Sequence, residues 1–189
     1  GNTTFSVHGG DYDYELNLYA NDTLNNLAST SLTIGVSTIS PAVVLNNPTS
    51  AQHFNRLTNI RFNFTATDLY DGISSCRLEG NWTGVWHTNQ TLTSVTSASQ
   101  TNFNLLNLTE GSWSWNTWCN DTYNNADYAL NNQTFTLDVT YPIINITTPA
   151  NASTQTSSTV SIKYILTELY PNICKWSKDS GVSNTTLSC

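Results

Sequence analysis

Four cysteines, eleven Asn-X-Ser/Thr triplets and a few grouped carboxylates are the residues whose types and spacing could do chemistry in this chain. No two of Cys76, Cys119, Cys174 and Cys189 stand at finger-like spacing, which argues against structural zinc. Disulfide formation is the chemistry they offer, and it fits an oxidising compartment. Four cysteines allow three pairings. Cys76 with Cys119 is favoured because their strands should be neighbours in one sheet, leaving Cys174 for Cys189. A bridge closing that second loop contributes about 3 kcal/mol in the chain-entropy picture. Free thiols are the competing reading.

The triplets begin at Asn2, Asn21, Asn63, Asn81, Asn89, Asn107, Asn120, Asn132, Asn145, Asn151 and Asn184, none with Pro in the middle, as N-glycosylation requires. A chain this rich in Asn, Ser and Thr should hold about six or seven such triplets by chance, so placement says more than number. Asn63 and Asn145 fall on the outward phase of predicted strands, and Asn21, Asn81, Asn107 and Asn120 in predicted turns. Several are expected to carry glycans. No other cofactor is expected, apart from the weak calcium candidate below.

Asp11, Asp13 and Glu15 alternate on one outward face and could hold calcium, a hard cation that prefers carboxylate oxygens. Neither an EF-hand spacing nor a Gly-Asp nonapeptide accompanies them, and solvated charges are the simpler reading. Asp68 and Asp71 sit beside a turn, where Asx capping explains them. His8, His53 and His87 are apart in phase, and no Gly-x-Ser-x-Gly, His-Glu-x-x-His or phosphate loop occurs. No catalytic residue is expected. Among six Trp, Trp113 and Trp115 share the inward phase with Cys119, leaving Trp82, Trp86, Trp118 and Trp176 as candidates for stacking on sugar rings.

The elements that must position these residues emerge when the chain is laid on itself at a shift of about 100 residues, a repeat signal. Asn21-Asp22-Thr23 then falls on Asn120-Asp121-Thr122, Pro41 and Pro48 on Pro142 and Pro149, and Thr67-Asp68-Leu69-Tyr70 on Thr167-Glu168-Leu169-Tyr170. Around these anchors the hydrophobic period is two. Ile60, Phe62, Phe64 and Ala66 share one face, as do Val160, Ile162, Tyr164 and Leu166. Tyr14, Leu16, Leu18 and Ala20 match Trp113, Trp115, Thr117 and Cys119, and Leu32, Ile34 and Val36 alternate as Phe135, Leu137 and Val139 do. Short strands broken by Asn, Gly and Pro predict an all-β chain of seven-strand immunoglobulin-type sandwiches.

Composition agrees. Thirty Thr and 21 Ser favour strands and turns over helix interiors. Only 10% of residues are charged and the net charge is −7, so there is no cationic cluster for nucleic acid or an anionic membrane surface. The chain has no Met and no long apolar run, so neither a signal peptide nor direct membrane insertion is expected, and it reads as a mature or excised segment.

The stretch Tyr19–Thr23, its partner Trp118–Thr122, the Pro-bounded first strands and the Cys76 and Cys174 segments resemble the tandem immunoglobulin-like repeats of large archaeal, and some bacterial, cell-surface and filament proteins. That resemblance covers nearly the whole chain. It implies a structural role at the cell surface as spacer, adhesin, or filament or envelope component.

The repeat phase divides the chain into one complete sandwich at 42–141 flanked by two complementary half-domains. Residues 1–41 hold late strands, completed by the preceding unit, and 142–189 hold early strands, completed by the following one. Written head to tail, Asn184–Cys189 followed by Gly1–Phe5 reads through as one repeat. The expectation is a glycosylated extracellular filament or stalk. Its units would join other copies of the chain, and other surface components, by half-domain complementation or as periods of a longer covalent chain. Folding back of the two ends within one chain is the alternative geometry, and an adhesin or carbohydrate-binding module the alternative function.

Overall fold

Side chains alternating with a period of two, interrupted by turn residues, produce strands throughout, and no helix forms among the described residues. The computed structural model describes residues 4–189. The chain divides into two compact units, Gly1–Asp138 and Val139–Cys189.

The first unit opens with a hairpin of β1 (Tyr12–Asn21) and β2 (Leu27–Val36). It continues through β3 (Ala42–Asn47), β4 (Gln52–Phe54), β5 (Asn63–Thr67), β6 (Ile73–Gly80), β7 (His87–Leu92), β8 (Ser99–Asn102), β9 (Gly111–Asp121), β10 (Ala126–Tyr128) and β11 (Gln133–Leu137). The second unit holds β12 (Ile143–Thr148), β13 (Lys163–Thr167), β14 (Cys174–Trp176) and β15 (Thr185–Leu187).

Strands β3 to β11 build an immunoglobulin-like sandwich. One sheet has the order β3-β5-β8 and the other β4-β11-β9-β6-β7, with β10 beside β9. The chain changes sheet between β3 and β4, at the buried Pro48, so that β4 can lie parallel to β11. Ile60, Phe62, Phe64 and Ala66 from one sheet meet Leu78, Trp115 and Leu137 from the other, all at 0% exposure. Trp115 sits at the centre. Its ring meets Phe62 edge to face at 5.1 Å, and its Nε1–H donates to the Pro48 carbonyl at 3.1 Å. Phe135 and Trp82 pack on the same Phe62 ring at 5.6 and 5.4 Å. Trp82 is thus a core residue and not a free sugar platform, because its own segment turns it beneath β6.

The repeat is visible as register. In β3–β5, Ala42 faces Thr67 and Leu45 faces Phe64, with an irregularity before Asn47↔Asn63; in β12–β13, Ile143 faces Thr167 and Ile146 faces Tyr164, with the same irregularity before Thr148↔Lys163. Cys76↔Leu92 and Leu78↔Gln90 in β6–β7 recur as Cys174↔Leu187 and Trp176↔Thr185 in β14–β15. The hairpin repeats the later strands: Tyr14↔Ile34 and Tyr12↔Val36 correspond to Trp113↔Phe135 and Gly111↔Leu137. Ile34 and Val36 therefore take the places of Phe135 and Leu137, two residues away from the expected match of Leu32 with Phe135. The cause is the Ala129–Asn132 segment, which splits β10 from β11 and is held by the Asn116 amide donating to Ala129 O and Asn132 Oδ1, whereas β2 runs on unbroken.

Trp115→Ala should cost about 3–5 kcal/mol in denaturant unfolding, because it empties the centre of a packed core. Leu16→Ala, at the equivalent but 40% exposed position of the hairpin, should cost less than about 1 kcal/mol when the chain is isolated and dilute.

Candidate functional site

Two apolar sheet faces of this chain are left open by other strands among the described residues. In the second unit Ile144 and Ile146 from β12, Ile162 and Tyr164 before and on β13, Trp176 from β14 and Leu187 from β15 line a groove of about 520 Å³. Strand alternation turns these side chains to one side. Ile162 and Trp176 are 51% and 45% exposed, while Phe62 and Leu78, at the same positions of the finished sandwich, are 0% exposed. Among the described residues β14 pairs only with β15 and β13 only with β12, whereas β6 lies between two strands and β5 also pairs with β8.

The hairpin shows the reciprocal deficit. Its pairing puts Tyr14, Leu16, Leu18, Leu32, Ile34 and Val36 on one face, and Leu18 and Leu32 are 66% and 58% exposed there. Among the described residues no strand lies on the edge of β1 away from β2.

The turn that joins β1 to β2 is built by a carboxylate. Asp22 Oδ1 accepts the Leu24 and Asn26 amide N–H groups, Oδ2 accepts the Asn26 side-chain amide, and Asn25 takes a φ of 66°. Asp121 repeats every bond with Tyr123 and Asn125, with Asn124 at 70°. The Asn26 side chain and backbone, donating to Asp22, hold its carboxyl below the ordinary value. In the β14–β15 turn, hydrogen bonds from Ser177 and Ser183 lower Asp179 to about 2.

Side chains also tie the hairpin to the sandwich. Tyr70 Oη donates to Asp13, which pushes the phenol up to about 12. Asn125 Nδ2 donates to Ser37 Oγ at 2.9 Å, and Ser37 Oγ reaches Asp121 Oδ2 at 3.4 Å. Asp11, Asp68 and Asp71 meet at the same place, each offering an oxygen within 4.8 Å of the others. Asp11 Oδ1 accepts the Thr38 and Ile39 amides, Asp68 Oδ1 accepts those of Tyr70 and Asp71, and Asp71 Oδ2 is buried without a hydrogen-bond partner. The expected trio of Asp11, Asp13 and Glu15 is not brought together. Alternate residues of a strand stand about 6–7 Å apart along it, too far for all three to share one ion. The Asx turn at Asp68 is legible in the sequence, but its approach to Asp11 is not, because the two are distant in the chain.

The structure joins Cys76 to Cys119 and Cys174 to Cys189. Cys76 and Cys119 face each other across β6 and β9, and in the hairpin Ala20 stands at the Cys119 position. Glu79, which the sequence did not single out, is 5% exposed and accepts from Trp86 Nε1, Thr88 Oγ1 and Tyr128 Oη. Burial, and then this bond, raises the Tyr128 phenol. Trp118 is covered by the Arg77 guanidinium, 3.8 Å from its ring centre, leaving Trp86 and Trp176 as the exposed indoles.

Of the triplet asparagines, Asn2 lies outside the described residues. Asn21, Asn89, Asn107, Asn132, Asn145, Asn151 and Asn184 are exposed, and Asn81 and Asn120 half-buried. Asn21 is the last residue of β1 and Asn120 the last but one of β9, so both lie on strands instead of in the expected turns. Asn63 corrects its expected outward placement: it is 7% exposed, because β5 runs between β3 and β8 and its side chain is enclosed beside Asn102.

Residues 97–187 match the family model of the bacterial Ig-like domain (group 3). The matched stretch begins before β8 and ends in β15, about one period of the repeat cut at another phase. No curated protein matches the chain.

Asp71→Asn, measured without divalent cations, should raise the melting midpoint by about 2–4 °C, since relieving one of three crowded like charges is worth on the order of 1 kcal/mol. A lower midpoint would show that the carboxylate is required as such. Peptide mapping of native material should find glycan on Asn89, Asn145 and Asn151, whose amides are exposed and unbonded, and none on Asn63.

Proposed function

We propose that this chain is a repeating structural unit of an extracellular, glycosylated filament or cell-surface stalk. Its units join head to tail, by half-domain complementation between copies or as periods of a longer covalent chain. One observation carries the reading: the hairpin and the second unit hold, in the same registers, counterparts of β9 and β11 on one side and of β3, β5, β6 and β7 on the other. The missing β4 agrees with this. In the sandwich β4 pairs with β11 alone, and its counterpart at Ser153–Gln155 forms no strand where no such partner is present.

Chemistry and surface support the same role. Both disulfides suit an oxidising exterior, the polar surface is Thr, Ser and Asn with few charges, and the buried carboxylate Glu79 is occupied by structural hydrogen bonds. An adhesin or carbohydrate-binding role is the second reading, favoured by the exposed indole of Trp86.

Electron microscopy of native material should show fibres with an axial repeat on the order of 70 Å, two domains each roughly 35 Å across. Isolated particles that retain affinity on a glycan array would favour the adhesin instead.

A further inference from the structure

We infer that the groove of the second unit is the seat of the β1–β2 hairpin of a second copy, with β1 added antiparallel to the free edge of β14 so that Ala20 faces Cys174 and Leu18 faces Trp176. This rests on the structural reading above and specifies its partner, strand and register.

The register follows from the finished sandwich. There β9 pairs with β6 with Cys119 opposite Cys76 and Thr117 opposite Leu78. Strand β1 stands in the place of β9 and β14 in the place of β6, residue for residue, as their pairings with β2 and β15 establish. Both edges that would meet are unpaired among the described residues. Addition of a strand to such an edge satisfies backbone groups, while alternate side chains enter the groove.

The side chains fit by exchange. In the finished core the indole is on β9, at Trp115, and the smaller Leu78 is on β6. At the open faces the sizes are reversed, with Leu16 on β1 and the indole of Trp176 on β14. Phe62 and Phe135, in ring contact in the finished core, are replaced together by Ile162 and Ile34. Reciprocal replacement that keeps a core filled is the tolerated kind. Either face alone leaves apolar surface in water.

A second copy is the donor that the first unit's geometry favours. The hairpin is tied through Ser37 to Asp121 at one end of β9, and the last strand leaves at Leu137, opposite Gly111 at the other end. Eleven residues of strand separate those ends by roughly 33 Å. The hairpin and the chain's exit from the sandwich at Leu137 are therefore at opposite poles of the first unit.

The test uses the position of Cys119. Ala20→Cys combined with Cys189→Ser sets a new thiol opposite the freed Cys174 in the arrangement that joins Cys76 to Cys119. Mild oxidation of the full chain should then yield a ladder of disulfide-linked oligomers, with peptide mapping linking position 20 to Cys174. Cys189→Ser alone should give no ladder, and adding Leu18→Asp should remove it, because a carboxylate would be buried against Trp176. The same link confined to monomers would overturn the second copy as donor, and a ladder mapped to other positions would overturn the register. If the double variant fails to fold, sedimentation of the unaltered chain decides: oligomers that lengthen with concentration support the inference, and a monomer at all concentrations overturns it. A monomer would leave the structural role standing if native fibres prove covalently continuous, so the two readings fail separately.

Discussion

A sheet buries one face only if something lies against it, and in this chain everything turns on which faces are covered. Around Trp115 the condition is met: β5 and the residue before it supply Phe64 and Phe62, β11 supplies Phe135, and the indole N–H finds the Pro48 carbonyl. Burial of that set at about 25 cal/mol per Å² supplies most of what folds the sandwich. Cys76–Cys119 adds about 4 kcal/mol by closing a long loop across the same strands. The hairpin and the second unit carry the same alternation without the opposing layer, and their apolar side chains remain in water. Local pairing, turn carboxylates and the Cys174–Cys189 bridge hold them in shape.

Much of this was legible in the sequence because its signals are local. The Asn-Asp-Thr turns, the Pro-bounded strands and the period-two runs each depend on a few consecutive residues, and the all-β immunoglobulin-like architecture follows from them. The departures come where distance along the chain matters. Asn63 has the phase of an outward residue, but β5 is a central strand, so β3 and β8 cover it. Trp82 lies outside any strand and packs by a backbone reversal that no periodicity encodes. The two-residue offset of β2 against β11 depends on the Asn116 amide holding a segment from another strand. The meeting of Asp11 with Asp68 and Asp71 requires the hairpin to stand on the loop after β5.

Scarcity of charge shapes the surface that remains. Edge strands are commonly guarded by Lys or an inward charge, but only six Lys and Arg occur in the whole chain. Along β1 the edge carries Asp13 and Glu15 near one end and is otherwise neutral. On β14 Lys175 is the one charged residue, at the groove beside the Trp176 indole. In the proposed docking, selectivity at such edges would then come from shape and register, with side-chain size on the two faces deciding what fits.

In the proposed docking the Asp22 turn would make the hairpin a pre-organised ligand. Its carboxylate fixes the reversal from within, through bonds to residues at most four positions away, so its β1–β2 register owes nothing to what it later touches. A flexible segment must surrender its conformational freedom when it docks, and that loss weakens binding. A hairpin already set in register has surrendered it during its own folding. In the proposed docking little of that loss would remain for the hairpin at contact, and it would enter as a rigid plug.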